Sequence, residues 1–200
     1  MGTVDDAYFD ALYAESGDPW ALASRWYEIR KRALIMACLP ARALGRVFEP
    51  ACAGGELTAE LARRASRVLA TDSNPRALAQ ARQRLAACLN VTLALGRLPQ
   101  DWPEGRFDLI VLSEIGYYFE PDDWRAVAAR AVDALDEGGA ILACHWRHAF
   151  DVRRQTAEAV HGAIGRHGEL FLLADHVEHD FLLQVWTRRP QSVAAAEGLV

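Results

Sequence analysis

The sequence predicts an α/β fold: a doubly wound, mostly parallel seven-stranded sheet with an N-terminal helical addition. Three observations carry this expectation. Short β-like runs alternate with helix-length stretches from Arg46 onward, the punctuation of βα units whose crossovers set strands parallel. The run Leu109-Ile110-Val111-Leu112 is apolar throughout, as a strand is when both faces of its sheet are covered. The pattern changes near the end, where Leu170 to Ala174 and Phe181 to Trp186 flank the polar His176-Val177-Glu178-His179-Asp180. Those runs read as two adjacent antiparallel strands closing the sheet.

Taken in order, Asp18-Pro19 reads as an N-cap followed by proline in the first turn, and Pro40 marks the far end. A helix is expected from about Pro19 to Leu39. Strands are expected over Arg46 to Glu49, Arg67 to Asp72, Val91 to Leu95, Asp108 to Ser113 and, after the turn Glu137-Gly138-Gly139, Ala140 to Trp146. Helices are expected near Glu56 to Arg64, from Pro75 to Ala87 and near Asp122 to Leu135. A length of 200 residues allows one full-sized core and is short for two. The expected organisation is a helical cap over 1–40, one ligand-binding sheet domain over 41–189, and a flexible tail over 190–200.

The composition, 52% hydrophobic and 24% charged, is that of an ordinary globular domain and argues against disorder. A formal net charge of -5 repels a polyanion, and Arg25, Arg30, Lys31 and Arg32 form only a short basic cluster, so no nucleic-acid partner is expected. Cys38, Cys52, Cys88 and Cys144 show no paired spacing and read as reduced thiols. The start, Val4-Asp5-Asp6, is no basic-then-apolar leader, and Ser113 and Glu114 interrupt the apolar run from Phe107. No membrane span is expected, and the chain reads as cytoplasmic.

The chemistry concentrates at strand ends. Val47-Phe48-Glu49-Pro50-Ala51-Cys52-Ala53-Gly54-Gly55 places an acid at the end of a strand, then a turn of small residues before a helix. Small residues admit the backbone close to a ligand, and the helix start offers free N–H groups. Asp72 ends the next strand, about 20 residues on, where an acid accepts both ribose hydroxyls of an adenosine. A dinucleotide pattern G-x-G-x-x-G laid from Ala51 puts Glu56 where a third small residue is needed for helix packing. The pattern acid-x-G-x-G-x-G fits better, with Glu49, Ala51, Ala53 and Gly55 in its places and alanine at two of them. That arrangement suits S-adenosylmethionine, whose methionine ammonium an acid at Glu49 can meet.

Together with Asp72-Ser73-Asn74-Pro75, Phe107 to Glu114 followed by Tyr117-Tyr118, and Glu137-Gly138-Gly139, these segments resemble class I S-adenosylmethionine-dependent methyltransferases. The likeness is closest to the nodulation protein S-like N-methyltransferase family, and Asp18-Pro19-Trp20 and Trp26 to Lys31 are similar to that family too. The resemblance implies Glu49 at the methionine amino group, with Ala51 and Gly55 in the turn, Asp72 and Ser73 at the ribose, and Gly96-Arg97-Leu98 at the adenine rim. Arg97 departs from the acid common there and cannot accept a hydrogen bond. Trp26 and Arg30 are expected to cover the cofactor, with Arg30 or Lys31 reaching its carboxylate. Glu114, Tyr117, Tyr118 and His145 are expected at the methyl acceptor, an amine on a small molecule or an oligosaccharide, with Glu114 also in contact with the cofactor. No metal is expected, because His145 and His148 lie three apart on a loop without a nearby acid. An O-methyltransferase of small metabolites, a nicotinamide-dependent reductase and a non-catalytic cofactor-binding module stay open as alternatives.

Overall fold

A computed structural model describes residues 4–200. Helices α1 (Asp6–Glu15) and α2 (Trp26–Cys38) precede β1 (Leu44–Pro50), α3 (Glu56–Ala62), β2 (Ala65–Asp72), α4 (Pro75–Arg84), β3 (Val91–Leu95) and β4 (Phe107–Ser113). A 3₁₀ turn over Gly116–Tyr118 leads to α5 (Pro121–Asp133), β5 (Leu135–Trp146), α6 (Ala157–Gly165), β6 (Phe171–Val177), β7 (Phe181–Thr187) and the single turn α7 (Val193–Ala196). The seven strands form one sheet in the order β3-β2-β1-β4-β5-β7-β6. Pairing is parallel from β3 to β5, and β7 runs antiparallel to both β5 and β6.

Strand alternation divides the interior into two cores. Phe48, Ile110, Leu112 and Ile141 point to one face, where α5 lays down Trp124, Val127, Ala128, Ala131 and Val132. Val47, Leu109, Val111 and Leu142 point to the other, against Ile35 of α2, Leu57 and Leu61 of α3 and Leu78 of α4. The apolar run Leu109-Ile110-Val111-Leu112 of β4 thus contributes to both cores. Its Ile110 and Leu112 are each fully enclosed, a side-chain burial of about 1.5–3 kcal/mol apiece.

Four elements differ from the sequence expectation. The helix expected from Pro19 begins at Trp26: the Asp18 carboxylate accepts from the N–H groups of Leu22 (2.7 Å) and Ala23 (2.9 Å), and Ala21 at φ 55° breaks the helical path. Asp18 caps a short turn, not a long helix. Helix α1 was not expected, although Asp5 caps it by accepting from Ala7 N–H at 2.8 Å. Helix α6 was also not expected; its N-cap Thr156 accepts from Ala159 N–H at 3.1 Å. Strand β5 begins at Leu135, earlier than expected, because the Gly138-Gly139 turn lies inside it as a register shift between Phe107 and Leu109. A Cβ on Gly139 would sit 2.9 Å from the carbonyl oxygen of Phe107. Among the described residues no helix is long and apolar enough to cross a membrane.

Candidate active site

Strand order reverses between β1 and β4, and ligands of doubly wound sheets bind at the carboxyl ends of the strands beside such a switch. Glu49 lies at that end of β1, and Glu114 directly follows β4. Between them opens a cavity of about 840 Å³, near the upper end of the range that holds a drug-sized ligand. Helices α1 and α2 roof it with Tyr8, Phe9, Tyr13, Tyr27, Glu28 and Lys31.

The turn after β1 adopts left-handed backbone at alternate residues: φ is 56° at Ala51, 50° at Ala53 and 80° at Gly55. These are the three glycine places of the acid-x-G-x-G-x-G pattern, and two alanines hold the same conformation at a strain of about 1–2 kcal/mol each. Asp72 supports the turn, its Oδ2 accepting from Ala53 N–H (2.9 Å) and its Oδ1 from Asn74 N–H (2.8 Å). Each carboxylate oxygen keeps a second lone pair, and Asp72 also lines the cavity. Burial pushes its carboxyl above the usual range, offset in part by those two N–H groups.

Glu49 is enclosed, and its Oε2 has no hydrogen-bond partner. Burial, with the carboxylates of Glu56 and Asp72 nearby, pushes its pKa up to about 8. A buried acceptor without a donor is costly, and a ligand ammonium is the group that would satisfy it. On this observation the residues present fit the methionine end of S-adenosylmethionine. Ser73, Arg97 and Leu98 line the same cavity. The Arg97 guanidinium pairs with Asp6, and its N–H donates to Asp101 at 2.9 Å, so Leu98 is left to provide apolar contact.

Glu114 is the hub of the opposite wall. Its backbone is left-handed at φ 55°, the kind of local strain that collects at functional sites. Oε1 accepts from Lys31 Nζ at 2.6 Å, and Oε2 from Tyr117 Oη at 2.5 Å and Trp146 N–H at 2.9 Å. Lys31 also meets Glu28 at 3.0 Å. Burial opposes the Lys31 charge, but Glu114 and Glu28 prevail and hold it protonated. Tyr118 stands edge-on to Phe9, Tyr117 and Phe150 at ring distances of 5.0, 4.8 and 5.7 Å.

Of the residues expected at the site, Glu49, Ala51, Asp72, Ser73, Arg97, Leu98, Glu114, Tyr117 and Tyr118 surround this one cavity. Four others do not. Trp26 opens α2 with 73% of its surface exposed, and Arg30 turns away to a bidentate pair with Glu178 at 2.7 and 2.8 Å. Tyr27 and Lys31, one position further on at the same i, i+4 spacing, line the cavity instead. Gly55 serves packing, since a Cβ there would meet Leu85 at 2.9 Å and Ala81 at 3.3 Å across α4.

His145 is fully buried away from the cavity. Its Nε2 accepts from Gly116 N–H at 2.9 Å, which places the ring proton on Nδ1 facing His161 Nε2 at 3.0 Å; His161 in turn faces Gln184. Burial, then His161 and Lys31, hold its pKa well below the usual value. It is a neutral strut under the 3₁₀ turn and does not line the cavity. His145→Ala is therefore expected to destabilise the fold by about 2–4 kcal/mol, through a cavity and an orphaned Gly116 N–H. Urea denaturation reads this; a variant of unchanged stability with reduced turnover would return His145 to the chemistry. Of the two basic residues expected to reach in from α2, Lys31 lines the cavity; Glu28 and the aromatic residues of α1 were not expected at the site, although the spacing of Tyr8, Phe9 and Tyr13 is that of an amphipathic helix.

Fold and site together define a class that binds a nucleoside-bearing cofactor at the β1–β4 switch, and comparison with known proteins says which. The methyltransferase domain family matches residues 47–139. A candidate methyltransferase from Pseudomonas syringae is 42% identical in sequence, with a TM-score of 0.73, covering 82% of this chain and 99% of that one. The chain belongs to the S-adenosylmethionine-dependent methyltransferases of class I. Within that class it is similar to nodulation protein S. Nodulation protein S of Sinorhizobium fredii is 31% identical over 104 residues, 52% of this chain and 48% of that protein. The alignments span about half the length of the curated relatives they match, 48% and 53% for the first two. The N-methyltransferase NodS of Bradyrhizobium japonicum in complex with S-adenosyl-L-homocysteine superposes with a TM-score of 0.81 at 25% identity, covering 92% of this chain and 98% of that one. S-adenosylmethionine is accordingly the cofactor, and a nicotinamide-dependent reductase is set aside.

Proposed function

We propose that this chain transfers a methyl group from S-adenosylmethionine to an amine, borne by a small molecule or an amino sugar. The observation that carries the amine is the state of the carboxylates around the acceptor end. Glu114 accepts from three donors, Glu28 pairs with Lys31, Asp6 with Arg97, and Asp5 caps α1. A hydroxyl needs a base to take its proton as it attacks, and these groups are committed elsewhere. An amine brings its own lone pair and needs position more than a base.

When bound, S-adenosylmethionine supplies an electrophilic methyl on a sulfonium. Glu49 would hold its ammonium, Asp72 and Ser73 its ribose, and Leu98 one wall of the adenine pocket. Lys31 holds Glu114, and Glu114 in turn fixes the Tyr117 hydroxyl and the Trp146 backbone, so the acceptor wall is set before any acceptor arrives. Tyr118, Phe150 and Trp146 give that wall flat aromatic surfaces, which supports a ring-shaped acceptor. The name of the Bradyrhizobium relative, an N-methyltransferase, supports the same nucleophile.

The test is a methyl-transfer screen with labelled cofactor against amino sugars, chitosan oligomers, small amines and small alcohols. Methylated amines are expected, with the rate at subsaturating acceptor rising about tenfold per pH unit until the amine is mostly unprotonated. Products formed only from alcohols would overturn the reading.

A further inference from the structure

We propose that His148, His179 and Asp180 form a binding site for a divalent transition-metal ion of the zinc class, outside the cavity and next to its wall residue Trp146. The site arises from sheet register. Strands β5 and β7 pair antiparallel through Cys144↔Leu183, His145↔Leu182 and Trp146↔Phe181, and Arg147 N–H donates to Asp180 O at 2.9 Å one step further on. The next pair in that register is His148 opposite His179. Directly opposed residues on antiparallel strands have Cβ atoms about 5 Å apart, and the two imidazole rings here lie 5.1 Å apart, centroid to centroid. Asp180 precedes β7, and its Oδ1 is 2.7 Å from His148 Nε2.

The three side chains each offer one ligand atom, all within 4.8 Å of one another. Tetrahedral zinc with bonds of about 2.0–2.2 Å separates its ligands by about 3.3 Å. The present spacings, 2.7 Å at the short edge and at most 4.8 Å elsewhere, bracket that value. His179 is exposed, so a rotation of its side chain can close the longer edge. Two imidazoles and one carboxylate favour zinc, cobalt or nickel over magnesium or calcium, which take oxygen ligands. Three protein ligands leave room for water. The adjoining Arg147 is already engaged, pairing through Nε with Glu158 at 2.8 Å and donating through Nη1 to Glu178 O at 2.6 Å.

The ion would tie the segment after β5 to the β6–β7 turn. That junction bears on the cavity through Trp146, whose ring lies 4.6 Å from His148 and 5.4 Å from Tyr27. His148, His179 and Asp180 do not themselves line the cavity.

Cobalt titration of tag-free protein, followed by visible absorption, with zinc competition read by calorimetry, tests the site. One equivalent is expected to bind in a Cys38→Ser/Cys88→Ser background, which removes the two partly exposed thiols. His148→Ala, His179→Ala and Asp180→Asn should each weaken binding at least tenfold, while His176→Ala leaves it unchanged. Each variant should keep its S-adenosylhomocysteine affinity, which shows that it is folded. Binding insensitive to His148→Ala and His179→Ala, or no saturable binding at millimolar cobalt, would overturn the site.

Discussion

Replacing Glu49 by glutamine is expected to weaken S-adenosylhomocysteine binding about 30-fold or more at pH 8.5, the loss that follows removal of one partner of a buried charge pair, about 2–5 kcal/mol. The pH profile makes the expectation specific. The Glu49 carboxyl, raised from 4.5 to about 8 by burial, is largely protonated in the free protein at neutral pH. A ligand ammonium needs it ionised. Affinity of the wild type should therefore increase by up to about tenfold per pH unit below 8 and level off above it. The glutamine variant should show no such slope. The stability of the ligand-free protein runs the other way. An acid whose folded pKa is raised weakens the fold as pH climbs from 4.5 to about 8, and glutamine removes that loss. The variant should thus melt higher than wild type at pH 8.5 without ligand and lower with it. Calorimetry and thermal melts at three pH values decide; parallel slopes in both proteins would take Glu49 out of the cofactor site.

Lys31→Met is the second large effect. The ammonium lies 2.6 Å from Glu114 and 3.0 Å from Glu28, with 5% of the side chain exposed. Removing it leaves two carboxylates without a counter-charge, a change that costs about 3–5 kcal/mol in buried pairs. Glu114 keeps its bonds from Tyr117 and Trp146 and is a quarter exposed, so about 3 kcal/mol is expected. The urea midpoint should fall with an unchanged slope. Adding Glu114→Gln to Lys31→Met should recover part of the loss, since it discards a stranded charge. A double variant no more stable than the single would mean that Lys31 acts through packing alone.

Much of this was legible in the sequence. Glu49, the small turn, Asp72 and Glu114 stand at strand ends, and the strands announce themselves through apolar runs between turns. The left-handed turn shows why alanines did not obscure the motif: the backbone keeps the path and tolerates the strain. Long-range covering was harder to read. His145 looked open at a strand end because α6, which buries its face of the sheet, carried no recognised helix signal. Trp26 and Arg30 were misplaced because spacing records which residues share a helix face, not which face the fold turns inward, and here that face is the one carrying Tyr27 and Lys31. The convergence of His148 with His179 and Asp180 depends on strand register, which no local pattern records.

The sheet order also sets a timetable for synthesis. β7 is made after β6 yet lies between it and β5, so neither of its neighbours has a partner on that side until Phe181–Thr187 leaves the ribosome. Until then β5 presents an unpaired row of N–H and C=O groups, the kind of edge that recruits strands from other chains. A chain halted between β6 and β7 is expected to aggregate even though the whole cofactor half of the sheet has been made, and a short extension through Thr187 to rescue it.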